Sequence, residues 1–138
     1  MHPEFRKRSN LVQMISGQIE SIAFGGSGVL KNHGLVIFVP FTAPQDQITV
    51  EIKTKKKNFA FGTVHSIDVP GPDRVQPACP YFGTCGGCQF QHLRYPAQLE
   101  IKRRFIQDAL QRIAKLSPHI PPIIPAPWPY DYLSLIHI

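Results

Sequence analysis

The chain has 138 residues, a length that allows one domain, or a small domain with an appended element. It carries 15 Lys and Arg residues against 9 Asp and Glu residues, and the resulting net charge of +6 favours an anionic partner, most commonly a nucleic acid. A hydrophobic content of 43% excludes a wholly disordered protein, and no apolar stretch approaches the roughly 18 residues of a membrane span. Because no apolar signal segment follows the amino terminus, we expect a cytoplasmic protein with no membrane partner.

The first two segments differ sharply in composition. Residues 1–13 form a basic, polar tail without helical or strand periodicity. Residues 14–68 contain short β-prone runs between glycine and polar breaks, at 17–22, 28–30, 35–39, 47–52 and 59–67. Five short antiparallel strands in about 55 residues fit a small closed barrel of the OB type, because closure removes the edges that a flat sheet would expose. The predicted fold is therefore mainly β.

A loop, a helix and a linker are predicted after the barrel. Residues 69–94 are rich in Pro, Gly and Cys and lack periodicity, so a bound group is needed to hold them as a loop. Residues 95–116 predict one amphipathic α-helix, since Pro96 suits its first turn and several apolar residues share one side: Leu99, Ile106, Leu110 and Ile113. Six prolines between positions 118 and 129 predict an extended linker over residues 117–132.

The linker is followed by only a few residues. Because a Pro-rich spacer normally connects two folded bodies, we expect a truncated product in which residues 133–138 are a non-native tail. No glycine-rich donor-binding motif follows a strand, and 138 residues leave no room for a second α/β domain of ordinary size. We therefore expect an α/β catalytic domain to be absent from this chain.

The three cysteines, Cys79, Cys85 and Cys88, lie within ten residues with the spacing C-x5-C-x2-C. This odd number in one short stretch suits neither a disulfide framework nor scattered core thiols. The two glycines between Cys85 and Cys88 allow the sharp turn that brings two sulfurs to one centre. Thiolate sets of this kind bind iron–sulfur clusters or zinc, and zinc could be completed by His92 at the permissible spacing C-x3-H. For His92 itself, a position in the loop or at an interface is the favoured interpretation. Three free thiols are the structural alternative.

A basic run lies between the last two predicted strands and consists of Lys53, Lys55, Lys56 and Lys57. It adjoins Phe59 and Phe61, so its ammonium groups could contact RNA phosphates while a ring stacks on an unpaired base. For the lysines we favour RNA contact over a merely solvated hairpin. For the phenylalanines a position in the barrel core is the favoured interpretation, and Phe59 is the aromatic candidate for RNA contact.

The cysteine run also carries a family resemblance. The stretch PACPYFGTCGGCQFQHLRY at 77–95, followed by Gln98, Leu99 and Lys102, resembles the iron–sulfur signature of bacterial RNA uracil-5-methyltransferases, especially their 23S ribosomal RNA branch. The preceding barrel resembles their N-terminal TRAM domain, and the resemblance covers about residues 14–132. It implies that Cys79, Cys85 and Cys88 are three of four ligands of a [4Fe–4S] cluster, with the fourth ligand absent from this chain.

The resemblance further implies an S-adenosylmethionine-dependent enzyme that methylates uracil C5 in 23S rRNA, with no protein partner implied. In such enzymes a cysteine thiolate adds to uracil C6 and the activated C5 attacks the methyl donor. No catalytic residue and no S-adenosylmethionine-binding residue is expected in this chain, so the fragment should be inactive. The alternative is a stand-alone TRAM RNA-binding protein with a structural metal site.

Overall fold

The computed structural model describes residues 13–131. The predicted tail at 133–138, the end of the predicted linker at 132 and all but the last residue of the predicted basic tail at 1–13 lie outside the described residues. The described part is mainly β, with a closed five-stranded barrel followed by one α-helix, which confirms the predicted fold class. Within it there is no α/β domain, and no helix is long and apolar enough to cross a membrane.

The barrel is built from β1 (Met14–Ile22), β2 (Gly28–Asn32), β3 (Leu35–Val39), β4 (Gln47–Lys55) and β5 (Phe59–Val69). The strand order is β1-β2-β3-β5-β4, and the pairing of β1 with β4 closes the barrel. The expectation of antiparallel pairing throughout is wrong at one seam, where β3 and β5 run parallel. A closed ring with an odd number of strands cannot alternate direction at every pair, so one parallel pair is unavoidable.

The barrel interior is filled by aliphatic side chains that alternate along the strands with outward-facing residues. Its fully enclosed members are Ile19, Leu30, Ile37, Val39, Ile48, Val50 and Ala60. The interior is crowded at Gly28, where an added Cβ would lie 1.9 Å from Oγ1 of Thr42 and 3.1 Å from the Ile19 side chain. The wall of the barrel therefore accepts only glycine at this point.

A second, smaller apolar cluster joins the end of the barrel to the helix. α1 (Tyr95–Ala109) continues into a π-helical turn (Leu110–Ala114), close to the predicted helix. Its buried residues are Gln98 and Ile101, and Ile101 packs with Ala43 and Leu93. The predicted apolar side was wrong: Ile106 and Ile113 are 48% and 84% exposed. The helix has apolar residues on more than one side, and only docking on the barrel selects the side that is buried.

The Pro-rich segment after the helix contains no helix or strand over residues 117–131, as expected for a linker. It lies along α1 and is held there by two hydrogen bonds. Nη1 of Arg103 donates to the carbonyl oxygen of Ile120 at 2.9 Å, and the backbone N–H of Ala126 donates to the hydroxyl of Tyr95 at 2.8 Å. The described part of the linker is therefore hydrogen-bonded to the helix at two points, although most of its side chains are exposed.

Candidate RNA-binding surface and cysteine loop

The turn between β4 and β5 carries three exposed lysines, Lys55, Lys56 and Lys57. The backbone N–H of Lys56 donates a 2.8 Å hydrogen bond to the carbonyl oxygen of Phe59, which closes the turn. None of the three ammonium groups forms an ion pair with a side chain of residues 13–131, whereas Lys53 lies 2.5 Å from the carboxylate of Glu51. Three of the four predicted lysines are therefore free to meet an external anion, and Lys53 is already paired.

Two phenylalanine rings of β5 lie on the outside of the barrel beside this turn. Phe59 is 38% exposed and Phe61 is 48% exposed, so the expected core position of both is wrong. The reason is the strand period of two: Ala60 and Gly62 face the interior, and Phe59 and Phe61 therefore face outward. An added Cβ at Gly62 would lie 2.2 Å from Cγ1 of Val50, which shows that the interior beside β5 accepts only small residues.

A third ring, that of Phe38 on β3, completes an aromatic cluster. Its centroid lies 6.4 Å from that of Phe59 and 5.7 Å from that of Phe61, and the latter two are 5.6 Å apart. The parallel pairing of β3 and β5 places Phe38 directly opposite Phe61. Sequence analysis did not single out Phe38, although it alternates with the buried Ile37 and Val39, a signal that places it on the outer face. We refer to Phe38, Phe59 and Phe61 as the outer aromatic cluster.

The cysteine loop is folded by short-range turns and by one glutamine. The N–H of Cys85 donates to the carbonyl oxygen of Tyr81 at 2.8 Å. The side chain of Gln91 bridges the ends of the loop, since its Oε1 accepts from the N–H of Cys79 at 3.1 Å and its Nε2 donates to Sγ of Cys88 at 3.3 Å. Gln91 is buried, so it holds Cys79 and Cys88 at fixed positions.

The three thiols differ in burial and in whether they line a pocket. Cys79 and Cys88 are half-buried and line a pocket of about 570 Å³ between the loop and α1, whereas Cys85 is exposed and does not line it. In residues 13–131, no group of three or more His, Cys, Asp or Glu side chains is placed to hold a metal ion. The thiols are chemically suited to iron or zinc, but their positions in this structure do not form a ligand set.

His92 lies at the contact between the loop and the barrel, as its interpretation as a loop or interface histidine predicted. It is 2% exposed, and its Nε2 donates to the carbonyl oxygen of Thr42 at 2.9 Å. Burial lowers the pKa of His92, outweighing the bond to Thr42, so the ring is neutral and Nδ1 is an acceptor. The rings of Phe41 and Phe82 flank it, with centroids 6.5 and 5.5 Å away.

A buried ion pair, which sequence analysis missed, makes a second connection between the barrel and the loop. Asp46 is fully buried and accepts a 2.6 Å bond from Nη2 of Arg74. Its carboxylate also accepts bonds from the N–H groups of Gly71 and Ala43, at 2.7 and 2.6 Å. Burial raises the pKa of Asp46, but these hydrogen bonds outweigh it and hold the pKa below its ordinary value.

Proteins similar to this chain are known from both sequence and structure. No family model matches the chain. It is 53% identical over 102 residues to an uncharacterized RNA methyltransferase of Protochlamydia amoebophila, a match that covers 74% of this chain and 24% of that protein. It is also 36% identical over 104 residues to the 23S rRNA (uracil(1939)-C(5))-methyltransferase RlmD of Shewanella amazonensis, covering 75% of this chain and 24% of that enzyme. Over about three quarters of its length, the chain is therefore homologous to proteins named RNA methyltransferases.

A solved structure gives a consistent result. The tRNA (uracil-54, C5)-methyltransferase of Pyrococcus abyssi, crystallised with S-adenosyl-L-homocysteine, superposes with a TM-score of 0.51 at 35% sequence identity. That match covers 78% of this chain and 23% of the archaeal enzyme. The chain thus spans about a quarter of the length of the relatives it matches.

Proposed function

We propose that this chain is the RNA-binding part of an S-adenosylmethionine-dependent RNA uracil-C5 methyltransferase that modifies 23S rRNA. Homology to RNA methyltransferases supports the reaction class, since one relative is named for C5 methylation of a 23S rRNA uracil. The observation that carries the role of this part is a group of three exposed lysines on a closed barrel, Lys55, Lys56 and Lys57, which have no carboxylate partner among residues 13–131.

The position of the lysines within the fold supports RNA as their partner. OB-type barrels bind oligonucleotides through the face of their second and third strands and through the loop between the fourth and fifth. In this chain that loop is the connection from β4 to β5 that carries Lys55, Lys56 and Lys57, which we call the lysine turn. Each ammonium group that meets a phosphate releases condensed counterions, so binding through this turn is expected to depend strongly on salt. Lys53 contributes less, because Glu51 must first release it, and Phe59 presents its exposed ring beside the turn.

The salt dependence of RNA binding tests this role. We expect the purified chain to bind single-stranded RNA, and replacement of Lys55, Lys56 and Lys57 by Ala to reduce the log–log salt slope by about 2, at roughly 0.7 counterions per contact. A matched control removes the same charge from the helical region through Arg104→Ala, Arg112→Ala and Lys115→Ala, and it should leave the slope unchanged. If both variants lost the same amount of slope, or if neither lost any, the RNA would not bind through the lysine turn.

Methyl transfer is proposed for the full-length enzyme and not for residues 13–131. S-adenosylmethionine would bind outside this chain, so the chain should transfer no methyl group from the labelled donor to unmodified 23S rRNA. Methylated uracil in that incubation would contradict the proposal that this chain binds RNA but does not transfer the methyl group. The second candidate is a stand-alone RNA-binding protein with a structural metal site. It predicts the same RNA binding, but no methyltransferase activity in the full-length protein.

We also propose Cys79, Cys85 and Cys88 as ligands of a [4Fe–4S] cluster, which would fasten the loop and take no part in methyl transfer. The support is the thiol chemistry and the spacing, together with the pocket that Cys79 and Cys88 share. Cys85 would have to turn inward, and a fourth ligand would have to come from outside this chain. Iron and acid-labile sulfide in an anaerobically purified full-length relative are expected, and zinc without sulfide would contradict the cluster.

A further inference from the structure

We propose that the outer aromatic cluster is a stacking platform for unpaired RNA bases, so that the barrel selects single-stranded RNA over duplex RNA. This inference rests on the proposed RNA-binding function but concerns a different part of the surface. The lysine turn meets phosphates, which single strands and duplexes both present. A ring platform can be used only by bases that are not already stacked and paired.

The packing of the three rings does not account for their position. Phe59 and Phe61 expose 38% and 48% of their surface on the outer side of the strands, where no described element covers them. They contact one another and Phe38 through tilted and edge-to-face arrangements, which fix the rings without enclosing them. Exposed aromatic groups that lie together on a rigid sheet can stack on bases at little cost in conformational entropy.

Charge around the cluster favours a nucleic acid over an apolar protein partner. Phe59 directly follows the lysine turn, and Lys56 is hydrogen-bonded to its backbone. On β4, which pairs with β5, the carboxylate of Glu51 does not oppose the positive charge of the turn, because it is already paired with Lys53. The surface therefore combines free cations with exposed rings, the two features that bind single strands without sequence preference.

The backbone geometry gives the path that the RNA would follow. The parallel pairing sets Val36 beside Phe59 and Phe38 beside Phe61, so the rings occupy the seam between β3 and β5. The lysine turn lies at the end of this seam where β5 begins. A strand of RNA whose phosphates are held at the turn would therefore lay its next bases along Phe59, Phe61 and Phe38. β3 belongs to the face that OB barrels generally use for oligonucleotides.

The test compares single-stranded and duplex RNA of equal length by fluorescence anisotropy. Phe61→Ala is expected to weaken binding of oligouridine roughly 5- to 150-fold, the effect of losing one base–ring stack, and to leave duplex binding unchanged. Phe61→Leu and Phe38→Leu remove the ring face but keep an apolar side chain in its place. A loss of affinity in these variants therefore cannot be explained by unfolding of the barrel. Trp128→Leu, which removes an exposed ring from the linker, is the matched control and should leave both affinities unchanged.

Two further readouts separate failure of this inference from failure of the proposed function. The ring variants should retain the salt slope of the unmodified chain, because phosphate contacts at the lysine turn are intact. A 2-aminopurine base in the oligonucleotide should be quenched on binding the unmodified chain and less so on binding Phe61→Leu. Unchanged oligouridine affinity in the ring variants, with the lysine variant still losing slope, would overturn the platform and leave RNA binding standing. Equal weakening for single strand and duplex would overturn it as well.

Discussion

Removal of the Asp46 carboxylate should be among the most destabilising single changes in this chain. The side chain lies at the junction of the barrel and the cysteine loop, where it accepts bonds from the guanidinium of Arg74 and from two backbone N–H groups. The guanidinium also donates to the carbonyl oxygen of Phe41 at 2.9 Å. Asp46→Ala would leave the largely buried cation and both N–H groups without this acceptor.

The expected cost follows from the burial of the pair. Breaking a buried ion pair by removing one partner typically costs about 3–5 kcal/mol, because a buried charge is left uncompensated. Asp46 is fully buried, and the side chain of Arg74 is only 17% exposed, so this range applies. A small domain has about 5–15 kcal/mol of stability in total, so Asp46→Ala should remove a large part of it. Asp73→Ala breaks the neighbouring, more exposed pair with Arg94 and should cost about 1 kcal/mol or less.

Urea unfolding followed by far-ultraviolet circular dichroism would measure both changes. The pKa of Asp46 is lower in the folded chain than the value of about 3.9 that it takes when unfolded. Its contribution is therefore complete well above pH 4 and is lost as the pH falls through the lower, folded pKa. The free-energy difference between Asp46→Ala and the unmodified chain should accordingly shrink below about pH 4. If Asp46→Ala and Asp73→Ala had equal, small effects at pH 7, the buried pair would not hold the junction.

Two further predictions concern the barrel wall and the loop contact. Gly28→Ala should cost about 1–3 kcal/mol in the same unfolding assay, because its Cβ would lie 1.9 Å from Oγ1 of Thr42. Gly86→Ala, whose Cβ would meet nothing within 4 Å, should change stability little, and equal effects would contradict the packing argument. Because burial lowers the pKa of His92, the unfolded chain binds a proton near pH 6.5 that the folded chain does not, and stability should fall as the pH drops below that value. His92→Gln should abolish this loss between pH 7.5 and 5.5, whereas His65→Gln, at an exposed position, should retain it.

The candidate RNA-binding surface could be predicted from the sequence only in part. A run of lysines between two strands is exposed in almost any fold, because burial of several ammonium groups costs too much free energy. Lys55, Lys56 and Lys57 are therefore exposed as predicted. The positions of Phe59 and Phe61 could not be settled in this way, since β5 has apolar residues on both faces. The usual expectation places the larger side chains inside, but the closeness of Val50 to Gly62 leaves them no room there.

Features that depend on neighbouring residues could be predicted directly from the order of residues in the chain. Strand positions follow from the two-residue period, the turns from glycine and polar breaks, the helix from its 3.6-residue period and proline, and the linker from its prolines. These patterns were enough to predict a five-stranded OB-type barrel followed by a helix. The cysteine spacing was equally visible, although the structure does not gather the three thiols into one ligand set.

The pairs of groups that meet across long stretches of chain could be identified only in the folded structure. Asp46 and Arg74 are 28 residues apart, and Thr42 and His92 are 50 residues apart, so no local pattern links them. Docking of the helix likewise buried Ile101 and left Ile106 exposed, although both are isoleucines on the same helix. The physical reason is that long-range contacts depend on the closed geometry of the barrel end, which determines the groups within hydrogen-bonding or packing distance. A local sequence pattern contains the residues but not that geometry.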